Sequence, residues 1–140
     1  MAVSSTPVLP QTPNRGLVQI ANGDGQNQKT IYTGGANGSK IVGLIAVSSD
    51  TSARDVQISI TSGGTSYPVG TVSVPSGSGN SSAASSVNMF NTTAIPGIPI
   101  DSDGNPYLFL ASASDTLTAS ALSTVTSGKL ITLVAITADF

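Results

Sequence analysis

Two carboxylates at alternate positions, Asp101 and Asp103 in the run Asp101-Ser102-Asp103-Gly104-Asn105, are the nearest this sequence comes to a reactive cluster. Carboxylates spaced in this way can converge on a hard cation such as calcium. A calcium loop of the EF-hand kind needs Gly at its sixth position and Glu at its twelfth. Here those positions hold Pro106 and Ser112. The run therefore reads as an Asx-stabilised turn feeding a strand at Tyr107. Neither a metal site nor a cofactor is expected.

Paired carboxylates can also hydrolyse glycosides, at separations of roughly 5 to 9.5 Å. Asp50, Asp55, Asp101, Asp103, Asp115 and Asp139 are available, but nothing in the sequence places any two at that separation, and turns account for most of them. His, Cys, Glu and Trp are absent. General acid–base and nucleophilic catalysis rely on groups poised near neutral pH or on thiolates. No Walker A, GxGxxG or GxSxG motif occurs, and Ser76-Gly77-Ser78-Gly79-Asn80 reads as a flexible loop. The three sequons at Asn37, Asn80 and Asn91 read as turn chemistry, as expected where Ser and Thr number 22 and 16. The expectation is a protein that works by shape and contact, not an enzyme.

Composition narrows the partners. Charged residues make up 9% of the 140, and the net charge is −2. There is no Lys/Arg cluster of the kind that neutralises phosphates, so nucleic acid is not an expected ligand. A basic membrane-binding face is missing for the same reason. A hydrophobic content of 39% argues for a folded chain of one domain. Soluble monomers commonly display ~25–35% charged residues at their surface. A chain this poor in charge is expected to bury part of its surface in an assembly. Its first residues lack a basic segment followed by an apolar one, so synthesis in a cytoplasm without a secretory signal is expected.

These residues are to be carried by a small β domain. Pro7, Pro10 and Pro13 recur in residues 6–13 (TPVLPQTP), favouring extended backbone over an arm of residues 1–15. Pro7, Val8, Leu9, Pro10 and Pro13 are its expected contacts with a neighbouring subunit. Residues 16–140 then read as a single domain. Strands are expected at Gly16–Ala21, Lys29–Thr33, Lys40–Ser48, Asp55–Thr61, Ser66–Val74, Tyr107–Ala111, Thr116–Ala121 and Leu130–Ala138. Lys40–Ser48 is apolar at both parities, as in a strand buried on two sides. Gly63-Gly64 marks a hairpin, and Pro68 an edge position or bulge. Residues 82–91 (SAASSVNMFN) are the one expected helix. About eight short strands and at most one short helix make an all-β class, a β-sandwich of jelly-roll or Ig-like topology.

Several segments together resemble a known group: residues 33–42 (TGGANGSKIV), 64–75 (GTSYPVGTVSVP), 98–110 (IPIDSDGNPYLFL) and 126–135 (TSGKLITLVA), with the terminal Asp139-Phe140. Their order resembles that of small β-rich virion proteins of tailed bacteriophages, including capsid decoration (cement) proteins. The resemblance implies a sandwich or jelly roll on the outside of a capsid, as a trimer, whose partners are the major capsid protein and copies of itself. It carries over no catalytic residue and no small-molecule substrate. The alternatives are another virion part (tail, fibre or neck) and a carbohydrate-binding adhesin. An adhesin would need an exposed aromatic platform from three Tyr and three Phe.

Overall fold

A computed structural model describes residues 9–140; Pro7 and Val8, two of the expected arm contacts, lie outside the described residues. Among the described residues, alternating β-branched and aliphatic runs form nine strands: β1 (Thr12–Ala21), β2 (Lys29–Thr33), β3 (Ser39–Ser48), β4 (Arg54–Ser62), β5 (Thr65–Val74), β6 (Val87–Asn88), β7 (Leu108–Leu110), β8 (Asp115–Ala121) and β9 (Leu130–Asp139). The only helical element among the described residues is a 3-10 turn at Asn22–Asp24. The all-β expectation holds.

The strands form two antiparallel sheets. One runs β1-β9-β3, with β6 and β7 both paired to the far edge of β3. The other runs β2-β8-β4-β5. The pairings are nested in sequence. β4 and β5 form a hairpin, β3 pairs with β6 and β7, β2 with β8, and β1 with β9. Rolling this ribbon places β9 beside β3 and β8 beside β4. That is jelly-roll connectivity, so the topology left open by the sequence is decided.

The core lies between the sheets. Ile20, Ile41, Leu44, Ala46, Ile131 and Leu133 enter it from the first sheet, and Val56, Ile58, Val72, Leu117 and Ala119 from the second. Ile60 and Val134 are only half-buried. The Gly63-Gly64 hairpin turns with φ of 57° and 83°, the left-handed pair that a tight two-residue turn requires. Pro68 sits on the edge strand β5, where the register shifts opposite Ile58 and Ser59. Both roles expected of this proline are present.

Three expectations need correction. Residues 82–91 are not a helix. The Met89 N–H donates to the Leu44 carbonyl at 2.8 Å, and the Phe90 N–H to Asn88 Oδ1 at 3.0 Å. This extended path gives the edge of β3 a partner and buries Met89 and Phe90, which outweighs the weak helix preference of a Ser-rich run. β1 opens at Thr12, not Gly16, because Pro13 and Arg15 already pair in register with Ala138 and Ile136. Finally, β3 is not buried on two sides. Its inner residues Ile41, Leu44 and Ala46 are fully buried, while Val42 on the other side is 45% exposed.

Candidate interaction surface

The outer faces of the two sheets differ in kind. On the second sheet, β4 presents Gln57, Ser59 and Thr61, and β8 presents Thr116, Thr118 and Ser120. These hydroxyls bond to one another and to nearby backbone: Thr61 Oγ1 and Thr118 Oγ1 lie 3.1 Å apart, and Thr118 Oγ1 donates to the Ser59 carbonyl at 3.3 Å. It is the polar side of an alternating sheet, although Ser59, Thr118 and Ser120 at its centre are themselves buried.

The outer face of the first sheet is apolar. Leu17, Val134 and Ile45 form a row across β1, β9 and β3. The next row holds Arg15 and Ile136, with Val42 pushed outward where the register shifts between Ile41 and Gly43. Beyond it lie Pro13, Ala138, Lys40 and Phe109. Gln19, Thr132 and Val47 close the opposite end. Leu17 is 58% exposed, Ile136 47% and Phe109 50%. The two central strands, β3 and β9, thus carry the composition of strands covered on both faces while the described residues cover only one.

An aromatic cluster extends this face at one end. The Phe109 ring centroid lies 5.1 Å from that of Tyr107, edge-on, and 6.0 Å from that of Phe140, tilted by 42°. Lys40 Nζ stands 4.6 Å from the Tyr107 centroid, within cation–π range. Phe109 and Phe140 border an open concavity of about 900 Å³ whose polar rim includes Gln11, Asn37 and Ser112.

Asp139 fixes this end of the molecule. Ser39 Oγ and Tyr32 Oη donate to its Oδ1 at 2.5 and 2.6 Å, and Asn14 Nδ2 to its Oδ2 at 3.3 Å. The Gln11 N–H meets the Asp139 carbonyl at 2.8 Å, and the Phe140 N–H meets the Gly38 carbonyl at 3.1 Å. The Ser39 and Tyr32 hydroxyls outweigh burial and hold the Asp139 carboxyl below its ordinary value. Burial, then the Asp139 carboxylate, pushes the Tyr32 phenol above its own.

The remaining carboxylates brace loops. Asp101 Oδ1 accepts from the N–H groups of Asp103 and Asn105, both at 2.9 Å, which is the expected Asx turn. The Asn105 N–H is the main reason its carboxyl stays below the ordinary range; Lys40 also contributes. Asp50 is buried beneath Arg54 and Thr126. Among the described residues no three Asp side chains group as a metal site would require. The two ion pairs described are Lys29–Asp24 and Arg54–Asp50. Arg15 and Lys40, the charged side chains of the apolar face, belong to neither.

Of the arm residues named from sequence, Leu9 is 68% exposed, Pro10 is half-buried and Pro13 lies on the apolar face of β1. Sequence reasoning missed the face itself. Its signal was present in the double parity of β3, which was read as burial.

No family model and no curated protein matches the chain. Among solved structures it is similar to the virus-like particle of extra small virus from the giant freshwater prawn Macrobrachium rosenbergii, determined by cryo-electron microscopy. The likeness has 12% sequence identity and a TM-score of 0.34, and covers 99% of this chain and 87% of that one.

Proposed function

We propose that this chain is a virion structural protein of a tailed bacteriophage, a capsid decoration (cement) protein that binds the outside of the head and bridges major capsid subunits. The observation that carries this reading is the apolar face of the β1-β9-β3 sheet, which the described residues leave uncovered. It supplies a contact surface on a chain whose residues offer little to catalysis. Jelly rolls also serve as lectins and cupins, so the fold alone does not select the role. The phage assignment itself comes from the sequence resemblance.

In this reading each copy lays its apolar face across neighbouring capsid subunits. Contacts repeated by symmetry then resist internal genome pressure through burial and avidity. The arm through Leu9 and Pro10 reaches a neighbouring subunit, and copies associate as trimers through other surfaces. No cofactor, nucleic acid, membrane or small molecule is needed.

The test is sedimentation of purified protein with emptied, expanded heads of the parent phage. Saturable binding in a fixed ratio to capsid subunits supports the role, and absence of co-sedimentation refutes it. The aromatic cluster at Tyr107, Phe109 and Phe140 favours one second reading, a carbohydrate-binding adhesin. Its rings meet at 68° and 42° and so form no flat stacking platform. Glycan-array binding lost in Phe109→Ala would favour it.

A further inference from the structure

Resting on the capsid-binding reading above, we infer that the outer face of the β1-β9-β3 sheet seats on a different protein, whose contact surface is apolar and places a carboxylate opposite Arg15. A second copy of this chain does not occupy it.

The charge pattern decides between these occupants. The chain is net acidic, with seven acidic and five basic residues. Yet the charges on this face are Arg15 and Lys40, both positive. Asp139, the one acidic residue of these three strands, turns inward to Ser39 and Tyr32. Asp101 borders the face near Lys40, whose ammonium already lies over Tyr107. Arg15 has no carboxylate partner among the described residues. A two-fold contact centred on this face sets positive charge against positive charge, and neither copy offers an acid from within the face to meet Arg15. An unpaired buried charge is strongly disfavoured. A partner bearing a carboxylate at that point removes the penalty and gains a charge-assisted pair.

Size agrees with a repeated contact. Strand spacing of ~4.8 Å and a rise of ~3.3 Å per residue give the three strands an apolar area of about 300 Å². That is well below the roughly 800 Å² per partner of a standard lone interface. It suits a contact multiplied by symmetry. Two cations on a flat sheet also fall short of the four to eight that typically bind anionic lipid.

The experiment compares five proteins on emptied, expanded heads of the parent phage: wild type, Arg15→Glu, Arg15→Ala, the pair Leu17→Thr/Ile136→Thr, and Thr71→Lys on the hydroxyl face as control. All substituted positions are exposed, and melting curves confirm folding. Arg15→Glu and the Leu17/Ile136 pair are expected to weaken binding at least about tenfold. Arg15→Ala is expected to weaken it less and to flatten the salt dependence seen in wild type. Thr71→Lys should bind as wild type does. Wild-type binding that all four variants share overturns the inference and leaves the decoration role standing. No binding by wild type overturns both. Sedimentation of the free protein supplies a further test: a dimer abolished by Leu17→Thr/Ile136→Thr makes a second copy the occupant. Flotation with vesicles of anionic lipid that Arg15→Glu abolishes makes it a membrane. Either result refutes the inference.

Discussion

Replacing Asp50 by Ala should be among the most damaging single substitutions in this protein. Asp50 is 1% exposed. Its Oδ2 accepts from Arg54 Nε at 2.7 Å and from the Thr126 N–H at 3.0 Å. Its Oδ1 accepts from Thr126 Oγ1 at 2.7 Å and from the Ser52 N–H at 3.1 Å. Arg54 reaches on to Ser123 Oγ and Thr126 Oγ1. The backbone carbonyl of Asp50 receives Ser76 Oγ and the Gly77 N–H. One residue thus ties the loops after β3, β5 and β8. Removing its carboxylate strands a guanidinium whose side chain is 16% exposed, and two backbone donors with it. Breaking a buried pair from one side costs about 3–5 kcal/mol. Against a total stability of roughly 5–15 kcal/mol that is a large share. For a chain of this size it lowers Tm by about 10–17 °C. Calorimetry and urea unfolding of Asp50→Ala measure it. Asp50→Ala/Arg54→Met removes both charges and should be less destabilised than Asp50→Ala alone. A loss under about 1 kcal/mol, or a double variant no better than the single, would show that the cluster is a solvated surface pair.

Acid should destabilise the fold through its carboxylates. For Asp50, burial opposes ionisation, but Arg54, Thr126 and Ser52 outweigh it and hold the carboxyl far below 3.8. Asp24, Asp101, Asp115 and Asp139 are also lowered. The unfolded chain therefore takes up protons first, so stability is full above about pH 5 and falls as pH drops through the folded values. A flat urea midpoint between pH 5 and 3 would contradict this. Tyr32 works in the opposite direction: its raised phenol contributes stability below its ordinary 10.0, lost as pH rises beyond it. Gly16→Ala should cost about 1–3 kcal/mol, because the added Cβ would stand 2.3 Å from the Ile31 carbonyl oxygen where the two sheets approach. Leu17→Thr/Ile136→Thr should leave the urea midpoint nearly unchanged, within about 0.5 kcal/mol per site, while reducing binding of a hydrophobic dye. Calcium should leave Tm unchanged, whereas a true site at a hundredfold over its dissociation constant would add about 2.7 kcal/mol and be lost in Asp101→Ala.

Much of the secondary structure was legible because it is written locally. Alternation over Asp55–Thr61 and Thr116–Ala121 marks strands with one apolar and one polar side, and both form with the apolar side toward the core. Gly63-Gly64 and Pro68 act through backbone dihedrals, which no tertiary contact needs to supply. The misread helix at residues 82–91 shows the limit of local pattern. Met89 and Phe90 suit the inner face of a helix or an extended edge equally well, and the free carbonyl of Leu44 chose between them.

The sequence by itself determined that this is a β protein without His, Cys, Glu or Trp, because composition and parity are properties of each segment. The tertiary structure alone decided the nesting of strands into a jelly roll, since β1, β3 and β9 are interchangeable as apolar runs and only mutual packing ranks their pairings. It alone joined Asp50 to Thr126 and Asp139 to Ser39, pairs 76 and 100 residues apart. And it turned the second apolar parity of β3 from expected burial into a surface. A hydrophobic pattern records that a side must leave water, but not whether the cover is the same chain or another.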